Sequence, residues 1–261
     1  DVLKWDYLVS PTCKTDGQTE AVVSYIKAHR AAGKMVKAVV PDTAADSEGI
    51  INYTTESVTD EDGNTYTAEE YCARIAGIIA GTPLSIACTY APLEELTDCK
   101  RLSKSQMDAA VDAGQLFVYH DGEKVKIARG VNSLTTVAAE KGEKFKKIKI
   151  VEAMDIIRDD ITKSVEDSYL GKYPNTYDNK CLLISVISNY FDTLIKENVL
   201  SSAAVAIDVE ANKSYLQESG IATADMSDDD IKKAATGDKV FLTAKITILD
   251  AIEEITLPIT I

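Results

Sequence analysis

The sequence predicts an α/β (α+β) protein of two lobes: a central mixed β-sheet flanked by helices, and a C-terminal lobe of two long helices on a small sheet. Three observations predict it. Strand, helix and strand follow one another between Trp5 and Val40. Two long stretches between Ile148 and Glu197 keep apolar residues at helical spacing. The stretch from Val240 to Ile261 alternates apolar and polar residues, the period of half-buried strands.

Trp5 to Val9 reads as a short strand closed by Pro11, followed by a helix from Thr19 to Ala32. Ala21, Val22, Tyr25, Ile26 and His29 recur at helical spacing as its inner face, and Gly33 is placed to end it. Met35 to Val40, apolar but for Lys37, reads as a buried strand, stopped by Pro41-Asp42. Ile50 to Thr54 is a further strand, and Asp60 to Asn64 a turn. Thr67 and Glu70 make a capping box that opens a helix ending before Gly81-Thr82-Pro83, with Tyr71, Cys72, Ile75, Ile78 and Ile79 inward. Ser103 and Gln106 repeat the device for a helix from Lys104 to Ala113. Gln115–His120 and Lys124–Arg129 read as strands joined at Asp121-Gly122. Ile148 to Leu170 is a long helix with Val151, Met154, Ile157, Ile161 and Val165 on one side. Asp178 to Glu197 is another, with Leu182, Leu183, Val186, Ile187, Tyr190, Phe191 and Leu194 inward. Ala204–Val209 and Val240–Leu249 are expected strands, and short helices are expected near 211–219 and 228–235.

Composition narrows the function. The 261 residues carry 28 basic and 42 acidic side chains, a net charge of −14, which disfavours nucleic acid or an anionic membrane as partner. The acidity is shared, with 21 acids and 13 bases in residues 1–140 and 21 and 15 in residues 141–261, so neither half is a charged tail. No apolar run has the length of a membrane span. The five cysteines at 13, 72, 88, 99 and 181 form no C-x-x-C, so they are expected as free core thiols of a reducing compartment.

Chemical signatures are missing. There is no P-loop, no G-x-G-x-x-G and no G-x-S-x-G. His29 and His120 are far apart in sequence and are expected to be structural. Asp60 to Asn64 lacks the register of a calcium loop, and Asp228-Asp229-Asp230 suits a helix start. No catalytic, cofactor or metal residue is assigned. Residues 141–149 hold five lysines and one glutamate; Lys144, Lys146, Lys147 and Lys149 are a candidate charged contact for an acidic partner, or simply a solvated face. Ile252 to Ile261 is a β-branched alternating strand with Ile255, Leu257, Ile259 and Ile261 on one face and Ile252 at its start. Such a strand needs a sheet, either through a hairpin with Val240–Leu249 or in another subunit.

One stretch carries a family resemblance. After the capped helix at Ser103, the residues read Asp112-Ala113-Gly114-Gln115-Leu116-Phe117-Val118-Tyr119-His120-Asp121-Gly122 and run through a hairpin to Arg129-Gly130-Val131-Asn132-Ser133-Leu134-Thr135-Thr136. Phe145 to Ile161, a second long helix and the closing Asp250 to Ile261 follow. This order resembles the tail sheath protein of contractile phage tails and of phage-tail-like bacteriocins of Gram-positive type, over nearly the whole chain. The resemblance implies a central domain over 1–142 and a C-terminal domain over 143–261 ending in a strand arm. It implies six-membered rings stacked as a helical sleeve on a tail tube, contraction on a baseplate signal, and neighbours linked by strands exchanged between their sheets. Implied partners are copies of the chain, the tube protein and the baseplate; the implied location is the bacterial cytoplasm during assembly and then the particle's tail. Sheath proteins also carry an N-terminal portion, so a sequence opening at Asp1 rather than Met is expected to be the central and C-terminal part.

Two other readings remain at this stage. One is an α/β hydrolase-like enzyme with an acid-based site drawn from Asp42, Asp46 or Asp159. The other is a tail adaptor or terminator that binds by strand addition without contracting.

Overall fold

The computed structural model describes residues 4–137 and 142–260. It divides into two compact units, one of Asp1–Asp155 with Asp250–Ile261 and one of Ile156–Leu249. The fold is mixed α/β, as the sequence predicts.

The first unit is built on a parallel sheet of four strands in the order β1 (Tyr7–Leu8), β2 (Lys37–Pro41), β3 (Ile50–Tyr53) and β7 (Gln115–Leu116). Every residue of β2 and β3 is buried, because helices cover both faces. Ala38, Val40 and Ile50 face Val23 and Ile26 of α1 (Thr19–Ala31). Val39, Ile51 and Tyr53 belong to the core formed with Tyr71, Cys72, Ile75 and Ile79 of α2 (Ala68–Gly81). The return from β2 to β3 has no helix; residues 42–49 suffice because the strands are short. Asp42 and Asp46 adopt positive φ there, and the Asn52 side chain accepts the Thr43 amide at 2.7 Å.

Two small sheets flank this core. β4 (Ser57–Asp60) pairs antiparallel with β5 (Thr65–Thr67) and β6 (Leu96–Cys99). β8 (Val118–His120) pairs antiparallel with β9 (Val125–Ile127). The antiparallel pairing therefore lies in separate sheets rather than in the central one. The capping boxes at Thr67 and at Ser103, which opens α3 (Lys104–Asp112), are both formed.

The second unit contains most of α4 (Ile148–Ser168), α5 (Tyr177–Lys196), the antiparallel pair β10 (Leu200–Ile207) and β11 (Leu242–Ile248), and the short helices α6 (Val209–Glu218) and α7 (Asp228–Lys233). Ser227 and Asp230 form the capping box of α7, so the aspartate run opens a helix as expected.

Several local expectations are corrected. Val23 and Ile26 are the buried residues of α1, turned to the sheet; Tyr25 lies on the outer side, 40% exposed, with Trp5 and His29 against its ring. Leu182 and Val186 of α5 are exposed, since the helix buries only a narrow stripe carrying Ile187, Phe191 and Leu194. The expected strand 115–120 splits at Phe117, whose backbone leaves β3 and joins the β8–β9 pair. The tight turn centres on Gly122-Glu123, one residue later than predicted, because Asp121 still pairs with Lys124 and its carboxylate accepts the Glu123 and Lys124 amides. Of the two placements left open for the closing strand, the hairpin with 240–249 is not seen among the described residues, where β11 pairs with β10. Residues 252–260 belong to no strand, and Ile261 lies outside the described residues.

Candidate assembly interface

The C-terminal segment leaves β11 after the Leu249 amide donates to Val199 O at 2.9 Å. From there its backbone joins no ladder among the described residues. Ile252, Ile255, Leu257 and Ile259 are 87%, 84%, 75% and 80% exposed. Four large apolar side chains on one short segment are unusual for a surface that has no partner.

The root of this segment is held by charge. Lys147 Nζ meets Asp250 Oδ2 at 2.6 Å and Glu253 Oε2 at 3.1 Å. Thr89 Oγ1 donates to Glu253, and Arg129 pairs with Glu254 while donating to the Glu253 carbonyl at 3.3 Å. Burial alone would weaken the charge on Lys147, but its bonds to Asp250 and Glu253 outweigh that and raise its pKa above the ordinary lysine value.

The four candidate lysines differ in setting. Lys144 is exposed, and Lys146 pairs with Glu143 three residues before it. Lys147 holds the C-terminal segment. Lys149 is only 6% exposed, and burial pulls its pKa down, so its ammonium is not displayed on the surface.

In the second unit the β10–β11 sheet has two strands only, and both outer edges are open among the described residues. A groove of about 480 Å³ lies along β11, lined by Ile161, Leu183, Ile187, Val205, Val240 and Leu242, among others.

The acids of the hydrolase alternative are structurally engaged. Asp42 pairs with Lys14. The Asp46 carboxylate accepts bonds from Thr136 and Thr135, whose amides lie 2.9 and 2.7 Å away, and these hold it well below the usual carboxylate range. A carboxylate so stabilised is a poor proton carrier near neutrality. His120 accepts the Gly122 amide at 2.9 Å within its turn. Among the described residues no group of three or more His, Cys, Asp or Glu is placed to share a metal ion, and no helix is long and apolar enough to cross a membrane.

The family model for the phage tail sheath protein central domain matches residues 2–133, and that for the phage tail sheath C-terminal domain matches residues 140–261. The chain belongs to the phage tail sheath family. It is 41% identical over 254 residues to the tail sheath protein of Clostridium phage phiCD119, covering 97% of this chain and 71% of that protein. The crystal structure of a sheath tail protein from Desulfitobacterium hafniense matches with a TM-score of 0.72 at 26% identity, over 79% of this chain and 51% of that one. The helical sheath of the anti-feeding prophage in its contracted state shares the fold, with a TM-score of 0.67 at 15% identity, over 93% of this chain and 66% of that one. This sheath chain thus spans about half the length of the Desulfitobacterium protein.

In this sheath chain, the apolar residues of the terminal segment are legible in the sequence, and what holds its root is not. Thr89 and Arg129 carry no sequence mark of that role; the adjacent acids Glu253 and Glu254, set between isoleucines, were the available signal.

Proposed function

We propose that the chain is the structural part of a contractile tail sheath subunit, whose copies form six-membered rings stacked as a helical sleeve around a tail tube. The observation that carries the assembly reading is the unpaired C-terminal segment with its exposed isoleucines and leucine. An extended apolar segment and an open sheet edge, such as those of β10–β11, are the two components of strand addition. In this reading residues 252–261 pair with a sheet in a neighbouring copy. Main-chain hydrogen bonds then keep neighbours linked while the domains rotate as rigid bodies during contraction.

Residues 1–142 act as the central domain and 143–261 as the C-terminal domain with its arm; the two family matches, over 2–133 and 140–261, support this division. Contraction needs no reaction chemistry, only two packings that differ by about a few kcal/mol per subunit, summed over many subunits. The chain therefore acts as a mechanical subunit and not as an enzyme, a reading supported by its family and by the engagement of Asp42 and Asp46. Its partners are copies of itself, the tube protein and the baseplate, with Lys144 and Lys146 as the charged residues offered to an acidic partner. Assembly takes place in the bacterial cytoplasm, and the product is carried in the particle's tail.

Negative-stain electron microscopy of the full-length parent, with and without residues 252–261 and with tube protein added, tests this. Striated hollow sleeves from the parent, lost on deletion, are expected. Normal sleeves from the deleted protein would overturn the role of the arm; discrete monomers from the parent even on tubes would overturn the sheath assembly itself.

A further inference from the structure

Along the C-terminal segment, burial is inverted relative to side-chain polarity. The Glu253 side chain is 9% exposed, while its apolar neighbours Ile252 and Ile255 are 87% and 84% exposed. Hydrophobic packing would have turned the isoleucines inward, so charge sets this orientation. The groups that set it come from three separate places in the first unit. Thr89 lies in the connection between α2 and β6, Arg129 lies just after β9, and Lys147 immediately precedes α4.

We propose that Thr89, Arg129 and Lys147 form an electrostatic clamp on residues 250–254, and that this clamp sets the point from which the sheath arm departs and hence how far it reaches. The clamp stands on the geometry of this chain alone; its effect on reach rests on the assembly reading above. Freed from Asp250 onward, the segment to Thr260 would extend about 36–40 Å, whereas the portion beyond the clamp, Ile255 to Thr260, extends only about 20–22 Å. Clamping roughly halves the distance over which a neighbouring sheet is available.

The pairs are not equivalent. Glu254 is 79% exposed, so its bond to Arg129 is screened and adds little. Glu253 is the anchor: loss of Lys147 would leave its carboxylate buried beside the Thr89 hydroxyl without the Lys147 cation. Part of the clamp is open to solvent, so it weakens as salt shortens the Debye length.

Backbone ¹⁵N relaxation of the 261-residue chain tests the clamp. Residues 250–254 are expected to show order parameters near the rigid value of about 0.85, with a fall below about 0.6 beyond Ile255. In Lys147→Gln the fall is expected to begin at Asp250, in Arg129→Gln the change should be smaller, and Lys147→Arg, which keeps the cation facing Asp250 and Glu253, should keep the order. Uniform mobility of 250–260 in the wild type, or no change in Lys147→Gln, would overturn the clamp. Sheath formation by full-length Lys147→Gln reads the effect on reach separately. Sleeves of altered stability or length are expected, and unaltered sleeves from a chain whose root is demonstrably loosened would overturn that part. Failure of the arm itself is diagnosed independently by the 252–261 deletion.

Discussion

The Arg30 guanidinium grips the Asp155 carboxylate through two nitrogens, at 2.8 and 3.2 Å, with both side chains about nine-tenths buried. Lys37 reaches the same carboxylate at 3.1 Å and Glu152 at 3.2 Å, and Tyr7 donates to Glu152. The cluster ties the first turns of α4 to α1 and to the central sheet. Its charges offset one another, so its net stabilisation is modest, but breaking it is costly. Asp155→Ala, which leaves two buried cations short of a partner, is expected to lower stability by about 3–5 kcal/mol in urea unfolding. Replacing Arg30 and Asp155 together with methionine and leucine is expected to cost clearly less than Asp155→Ala alone.

Gly130 sits where a side chain has no room. A Cβ there would lie 2.9 Å from Cys88 Sγ and 3.3 Å from Thr89 Oγ1. Gly130→Ala is expected to destabilise by about 1–3 kcal/mol, the usual cost of overpacking. Adding Cys88→Ala should recover much of the loss, a coupling that a double-mutant cycle measures.

The thiols separate by burial. Cys13, Cys72, Cys88 and Cys99 are buried and Cys181 is half-buried on α5. A thiol reagent at pH 8 is expected to modify Cys181 first, with the other four slower by about two orders of magnitude until the chain unfolds. Burial pushes the Cys88 thiol up to about 12 and the Cys99 thiol up to about 11, against 9.0 for a free thiol. Folded values above the unfolded one mean that these thiols contribute stability fully below pH 9. That contribution is lost as the pH rises through about 11 and 12. Melting temperatures measured from pH 8 to 11 should fall progressively, and less so in a variant with Cys88→Ala and Cys99→Ala.

Exposed apolar residues of the arm are expected to matter for assembly and not for folding. Ile255→Ser with Leu257→Ser should shift stability by no more than about 0.5 kcal/mol, because neither side chain is buried in the chain alone. The same double variant of the full-length protein should fail to form sleeves. A large loss of thermal stability in the isolated chain would mean that the arm packs on its own subunit.

The sequence made the periodic elements legible because their signals are local. Thr67 with Glu70 and Ser103 with Gln106 fix two helix starts, and the stretch Met35–Val40 marks a buried strand, formed as Lys37–Pro41. The strands β4, β5 and β6 escaped, because each is three or four residues of mixed polarity, with Val58 the only buried residue of β4. The inner face of α1 differs from the expected one because Val23 and Ile26 meet the sheet, while Tyr25 joins Trp5 on the outer side, a pairing with no local sequence mark. In the candidate interface, the apolar alternation from Ile252 was readable, whereas its anchors on Thr89, Arg129 and Lys147 are set by tertiary folding across more than a hundred residues.

The unpaired segment also contains Pro258, between Leu257 and Ile259. Were residues 255–260 to become a strand, the amides of Ile255, Leu257 and Ile259 would point to one edge, and those of Thr256 and Thr260 to the other. Proline has no amide hydrogen to give, so the second edge carries a gap at its middle. An arm of this kind pairs continuously on one side and discontinuously on the other. In the strand addition proposed above it would serve as a terminating stitch: it would close one seam between two molecules, while the gap would oppose the open-ended stacking of arm upon arm that turns exposed β-branched segments into fibres.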